Sequence, residues 1–216
     1  MDREMIAKAE AFLKDTFENS EYLQAHPTER DYRLEHSYRV ANIAKNIAVN
    51  EGFDVNCAVI AGLLHDISYC EEMKDRADWA NHGRRSAQIA RIFLEKLDLT
   101  AEQINDICFG IAIHVDDQAD FEWTRSASCE TVGDADNIDR FDAYRIYETL
   151  QNQNFSAMKL PEKDEIVHQM LEKLDKYRVI KLGTETAQNL WLQRLDYYRS
   201  FYQKLAQQLN NSTFVL

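Results

Sequence analysis

Residues that turn a chain sharply are nearly missing here. Six glycines and two prolines in 216 residues leave few of the reversals that a many-stranded sheet requires, so an all-α fold is expected. Cysteine offers no scaffold either. Cys57, Cys70, Cys108 and Cys129 are widely spaced with no CxxC pair, which argues against a disulfide framework and fits a reducing cytoplasm. The charged start Met1-Asp-Arg-Glu lacks the apolar core of a secretory signal. The longest apolar run is only about seven residues, whereas a membrane span needs roughly 18 to 20. Positive charge is in deficit as well: the formal net charge is −12, and long-range repulsion then opposes binding to nucleic acid or to an anionic membrane. These absences leave a soluble helical protein, with a small molecule held by local positive groups still open as its partner.

What the chain does have is 45% hydrophobic residues, enough to bury a substantial core, and a single domain spanning residues 1–216 is expected. Helical spacing of apolar residues runs from Met5 to Phe17, from Leu34 to Asn50 with a stop at Glu51-Gly52, from Val55 to Leu64, and from Ser86 to Leu97 through Ile89, Ile92, Phe93 and Leu97. Pro27 reads as loop punctuation, and Thr100-Ala-Glu-Gln103 as a capping box that opens a helix through His114. Polar Gln118 to Ser128 reads as a loop or lid before a helix starting near Gly133. Two long amphipathic helices follow, Glu162 to Tyr177 and Thr184 to Leu209, with Leu190, Leu195, Tyr198, Tyr202, Leu205 and Leu209 as an inner face. The aromatic residues Trp191, Tyr197, Tyr198, Phe201 and Tyr202 are assigned to core or homodimer packing rather than to base stacking, which the net charge opposes.

The chemistry begins at Ala58-Val-Ile-Ala-Gly-Leu-Leu-His65-Asp66-Ile67, an apolar helix that ends in an imidazole beside a carboxylate. Burying both costs several kcal/mol unless something pairs with them, and a metal ion suits the two together. Further candidate ligands lie on inner helix faces or at helix ends. His36 shares a stripe with Val40 and Ile43, His82 stands before Ser86, and His114 shares a face with Ile104, Ile107 and Ile111. Asp136 shares a face with Asp139, Arg140 and Ala143, and Asp134 offers a second carboxylate in the same Asp-Ala-Asp. Imidazole with carboxylate and no thiolate favours manganese, iron, cobalt, nickel or zinc over calcium or magnesium without choosing among them; iron or manganese is the expected ion.

The order His36, His65-Asp66, His82, His114, Asp136 resembles the H…HD…H…H…D pattern of the HD-domain superfamily of metal-dependent phosphohydrolases, from roughly Glu35 to Tyr147. His36-Ser-Tyr-Arg39-Val40 is similar to the family's opening H-x-x-R-V, Leu63-Leu-His-Asp-Ile67 to its central motif, and Ala135-Asp136 to its closing alanine-aspartate. The resemblance implies a helical bundle with a metal-binding core over residues 30–150 and C-terminal helices over 160–210 packing on it. It assigns His36, His65, Asp66 and Asp136 to a first divalent ion, with Asp136 preferred to Asp134 because the family's aspartate follows alanine. His82 and His114 either hold a second ion, bridged by Asp66, or bind substrate phosphate. Arg39 and Arg140 either neutralise a phosphate or make structural ion pairs, and Arg84 and Arg85 read as surface charges.

The implied activity is cleavage of a phosphate ester or phosphoanhydride of a small phosphorylated metabolite, a nucleotide first among them, by metal-activated water; phosphomonoesterase, phosphodiesterase and pyrophosphohydrolase are not separated. Many members continue the central motif as His-Asp-Ile-Gly-Lys, with the lysine acting near the phosphate, whereas this chain has Ser68-Tyr69. That departure, and the lack of a Gly-Tyr-Pro motif, speaks against a cyclic-dinucleotide phosphodiesterase. Two alternatives stay open: a di-iron oxygenase using the same six ligands, and a noncatalytic nucleotide-binding module that signals through its C-terminal helices.

Overall fold

A computed structural model describes residues 3–212, and every regular element among them is helical. In chain order these are α1 (Arg3–Glu18), α2 (Glu21–Ala25), α3 (Pro27–Glu51), α4 (Val55–Leu64), α5 (Arg76–Leu94), α6 (Ala101–Ile113), α7 (Ala127–Asp139), α8 (Ala143–Asn152), α9 (Leu160–Arg178) and α10 (Glu185–Asn210), with short 3-10 turns at Ile67–Cys70 and Phe155–Ala157. The chain divides into two compact units, Met1–Asp139 and Arg140–Leu216. The division falls inside the 30–150 stretch that the sequence suggested as one core.

In the first unit α4 is the axis. Every residue from Cys57 to Leu64 is buried, because a segment apolar on all sides is stable only when other helices cover it. Helices α1, α3, α6 and α7 pack against it, α5 packs against α6, and α7 also lies against α3. The approach of α3 to α4 depends on Gly62: a Cβ there would stand 2.6 Å from the Cα of Ala41 and 2.8 Å from its nitrogen. No larger residue lets these backbones come so close.

Helix ends largely follow local capping chemistry. The Asp54 carboxylate accepts from the backbone N–H groups of Asn56 and Cys57 at the start of α4, and Thr100 with Gln103 forms the expected capping box on α6. Gly52 ends α3 in the left-handed conformation at φ 74°, with its N–H on the Ala48 carbonyl. Three expectations need correction. Pro27 opens α3 instead of breaking the chain, since a first-turn residue has no intrahelical use for an N–H. Helix α5 begins at Arg76, capped by Asp75, so His82 lies inside it. Its inner face is built from small residues, Gly83, Ser86, Ala87 and Ala90, with Leu94, while Ile92 is exposed. Small side chains bring α5 close to α6, which the bulky residues of the expected stripe would prevent. Finally, α7 starts at Ala127, shortening the preceding loop, in which Phe121 and Trp123 pack against Phe109, Ile113 and Cys129.

In the second unit α9 and α10 pack together. The buried face of α10 runs through Ala187, Trp191, Leu195, Tyr198 and Tyr202; Leu190, Leu205 and Leu209 are only half-buried. The Phe141 ring meets Tyr177, Trp191 and Tyr198 edge-on at centroid distances of 5.2, 5.0 and 5.4 Å, a favourable aromatic geometry. Among the described residues no helix is long and apolar enough to cross a membrane, and all four cysteines are free.

Candidate metal centre

The end of α4 sets the site. Beyond Leu64 the chain leaves helical geometry at Asp66, φ −107° and ψ 14°, a region often occupied by active-site residues. His65 and Asp66 thereby point into a buried space walled by α3, α5, α6 and α7. Four imidazoles and two carboxylates meet there: His36 from α3, His65 and Asp66 from the end of α4, His82 from α5, His114 from the end of α6 and Asp136 from α7. His36, His65, Asp66, His82 and Asp136 are buried residues, and the His114 side chain is 2% exposed.

Asp66 divides its two oxygens between two sets of partners. Its Oδ2 lies 3.6 Å from the Nε2 of His36 and 3.6 Å from that of His65. Its Oδ1 lies 3.2 Å from the Nε2 of His82 and 3.6 Å from that of His114. Asp136 joins the first set, with its Oδ1 3.1 Å from His36 Nε2 and 4.0 Å from His65 Nε2. The ligand atoms of His36, His65 and Asp66 lie close enough to one another to hold an ion, and so do those of Asp66, His82 and His114.

Each ring is oriented by its other nitrogen. The Nδ1–H groups of His65, His82 and His114 donate to the carbonyls of Gly62, Trp79 and Ile111 at 2.9, 2.6 and 2.6 Å. For His65 and His114 these carbonyls belong to the last turn of a helix, where no intrahelical donor remains. His36 instead donates from Nδ1 to Asp139 Oδ2 at 2.8 Å, and Arg39 Nε holds the same carboxylate at 2.9 and 3.2 Å. All four Nε2 atoms therefore turn inward, toward carboxylate oxygens or toward each other. Acceptor facing acceptor is repulsive unless a proton or a cation stands between.

The titration of the metal-free groups follows from this crowding. Burial pulls the His36 ring down, but its bonds to Asp136 and Asp139 outweigh burial and lift it to about 9. Burial dominates at His65 and takes it to about 4. Burial also opposes charge on Asp66, yet His65, His114 and His82 together hold its carboxyl well below the usual range. The Nε2 atoms of His36 and His65 stand 3.2 Å apart. A positive charge is demanded at that point, and the donor set fits a divalent transition metal that replaces the proton.

The remaining sequence candidates are distributed as follows. Asp136, not Asp134, approaches the histidines, though Asp134 is also buried. Arg39 is engaged by Asp139 through Nε. Arg140 is exposed: α7 ends at Asp139, so the helical register that would have turned it inward does not continue. Arg84 and Arg85 pair with Asp116 at 2.7 Å and Glu71 at 2.5 Å. Sequence reasoning gave no role to Asp139, although it lies one turn beyond Asp136, and overlooked Arg33, one turn before His36, whose Nη1 is 3.1 Å from Asp66 Oδ2. Helical i±3 spacing from known candidates was the available signal for both.

Asp139 orients the His36 ring through Nδ1. Asp139→Asn is expected to weaken metal affinity by about 10- to 100-fold with the helical content unchanged, measured by competition against a chelating dye. Unchanged affinity would remove Asp139 from the centre.

Fold and site together define an all-helical protein organised around a buried histidine–aspartate cluster that could hold a metal ion. The family model described as HD domain matches residues 33–144. No curated protein matches the chain. Among solved structures, a predicted HD superfamily hydrolase from an uncultured Thermotogales bacterium is similar at 19% identity and a TM-score of 0.63, over 95% of this chain and 91% of that one. Bacillus subtilis YpgQ, solved in complex with ADP, is similar at 18% identity and a TM-score of 0.60, over 95% of each chain. The chain belongs to the HD-domain family.

Proposed function

We propose that the protein is a phosphohydrolase that cleaves a phosphate ester or phosphoanhydride of a small molecule, a nucleotide by preference. The observation that carries this reading is the division of Asp66 between two histidine sets, which matches the needs of a paired metal site for phosphoryl transfer. His36, His65, Asp66 and Asp136 would hold a first ion, and Asp66, His82 and His114 a second, each a divalent transition metal with iron or manganese foremost among those tested. Bound there, such an ion lowers the pKa of water toward neutrality and polarises a phosphoryl oxygen.

The chain's own residues supply alignment. Three backbone carbonyls fix the rings of His65, His82 and His114, and the Arg39–Asp139 pair fixes His36, so the ligands meet an ion without rearranging. Burial excludes bulk water from the site and strengthens its electrostatics. The ADP complex of the structurally similar YpgQ supports a nucleotide as the substrate class.

The test is metal analysis of protein purified without chelator, followed by a screen of phosphorylated metabolites, nucleoside mono-, di- and triphosphates included, against Mn, Fe, Co, Ni and Zn. Release of phosphate or pyrophosphate is expected, and His65→Ala should lose both metal and activity. A metal-free wild type without hydrolysis, or turnover that consumes oxygen and releases no phosphate, would refute the reading.

A further inference from the structure

The two ligand sets around Asp66 differ in how they are built. His36, His65 and Asp136 come from α3, the end of α4 and α7, helices that pack directly on one another. The Oδ1 set needs α5 as well, because His82 is carried there. That helix packs mainly against α6 and against the 3-10 turn Ile67–Cys70, so its seat on the turn sets where His82 stands.

The seat is a short relay of hydrogen bonds between two serines. The Ser68 N–H donates to Ser86 Oγ at 3.1 Å, the Ser86 hydroxyl donates to Ser68 Oγ at 2.9 Å, and the Ser68 hydroxyl donates to the His82 carbonyl at 3.0 Å. Both serines are 0% exposed. A hydroxyl so deeply buried has to find its partners inside the protein, and each of these finds them across the junction of turn and helix. Ser68 lies two residues past Asp66, and the Asp66 carbonyl accepts the Tyr69 N–H at 3.0 Å, which closes the turn. The relay therefore ties the backbone that presents Asp66 to the backbone that presents His82. On the far side of this junction, Asp66 Oδ1 and His82 Nε2 stand 3.2 Å apart.

Gly83, next along α5, serves the third member of the set. A Cβ there would stand 2.7 Å from the Ala112 carbonyl oxygen, 3.0 Å from that of Ile111 and 3.1 Å from His114 Nδ1. The Ile111 carbonyl is the acceptor that orients His114. One docking of α5 thus reaches Asp66 through the turn, His82 directly and His114 through Gly83, whereas no bond of the serine relay reaches His36, His65 or Asp136.

Resting on the phosphohydrolase reading with its paired ions, we propose that Ser68 and Ser86 are positioning residues for the second ion. Their hydroxyls hold His82 within reach of Asp66 and so determine whether that ion is retained, while the first ion is held without them. They act through His82 and Asp66 and are not ligands themselves.

The test titrates manganese(II) into the full chain, freed of metal by dialysis against a chelator, and reads stoichiometry and dissociation constants by calorimetry. The wild type should take up two equivalents, the second being the one that His82→Ala removes. Ser68→Ala and Ser86→Ala should each weaken that equivalent by about 10-fold or more, the usual effect of losing a group that orients a metal ligand, with the first equivalent unchanged. The double variant should cost little more than either single one, because both break the same relay. Ser37→Ala is the control: its hydroxyl is equally buried but has no hydrogen-bond partner, so both equivalents should bind as in the wild type. Melting of the metal-free proteins separates folding from binding. Serine variants that melt earlier yet bind both equivalents like the wild type, or that weaken both alike, would overturn the proposal while leaving the paired ions in place. A wild type that takes up a single equivalent would overturn the paired-ion reading and the proposal with it. Failure of the phosphohydrolase reading looks different again: a wild type with neither metal uptake nor hydrolysis.

Discussion

An Asp66→Asn protein is expected to keep its helices and to lose both bound metal and hydrolysis. Asparagine preserves the shape of the side chain but removes the charge that two histidine sets share, one on each oxygen. A metal centre contributes several kcal/mol to phosphoryl transfer, so activity should fall by about a thousandfold or more. His82→Ala serves as the contrast, since it touches only the Oδ1 set: it should remove one metal equivalent and leave the other. Elemental analysis of both variants against circular dichroism decides the matter. Wild-type metal content in Asp66→Asn would show that the carboxylate is not shared between ions, and a complete loss of metal in His82→Ala would show that the two sets are not separate.

The second large effect is expected from a single uncharged methyl group. Gly62→Ala places a Cβ 2.6 Å from backbone atoms of Ala41, and backbone cannot rotate away as a side chain can. Helices α3 and α4 must separate, at a cost of about 2 kcal/mol or more, and they carry His36 and His65 respectively. Thermal stability and metal affinity should fall together. Gly133→Ala is the matched control. Its Cβ would meet His114 at an ordinary 3.5 Å, and removing a glycine from within a helix is worth roughly 0.5–1 kcal/mol of stability, so this variant should be unchanged or more stable. If Gly62→Ala melted with the wild type, the close crossing of α3 and α4 would be wrong.

Much of this architecture was legible in the residues. The scarcity of glycine and proline anticipated an all-helical chain, and the stop at Gly52 and the capping box at Thr100 were read from local chemistry that the structure reproduces. The ligand order brought together His36, His65, Asp66, His82, His114 and Asp136 because each is a polar group on an otherwise apolar face or at a helix end. Other features depended on information that local pattern does not contain. The start of α5 was missed because its inner face is made of glycine, serine and alanine, which give almost no hydrophobic signal although they permit the closest packing. Helical spacing put Arg39 and Arg140 on the faces of His36 and Asp136, for phosphate or for ion pairs. One is engaged by Asp139 and the other lies past the end of α7, and neither fact follows from spacing alone. Arg33 escaped notice because its contacts, with Asp66 and the Tyr69 ring, come from a different segment.

The manner in which the imidazoles are held divides them into two kinds. His65, His82 and His114 are oriented by peptide carbonyls, acceptors that every residue supplies and no side-chain replacement deletes. His36 alone of the four leans on a side chain, Asp139, which leans in turn on Arg39. Three ligands are thereby written into the path of the main chain and the fourth into its lettering. A lineage that needed a different ion, or a different grip on the same one, could change residues 39 and 139 and leave the rest of the centre standing.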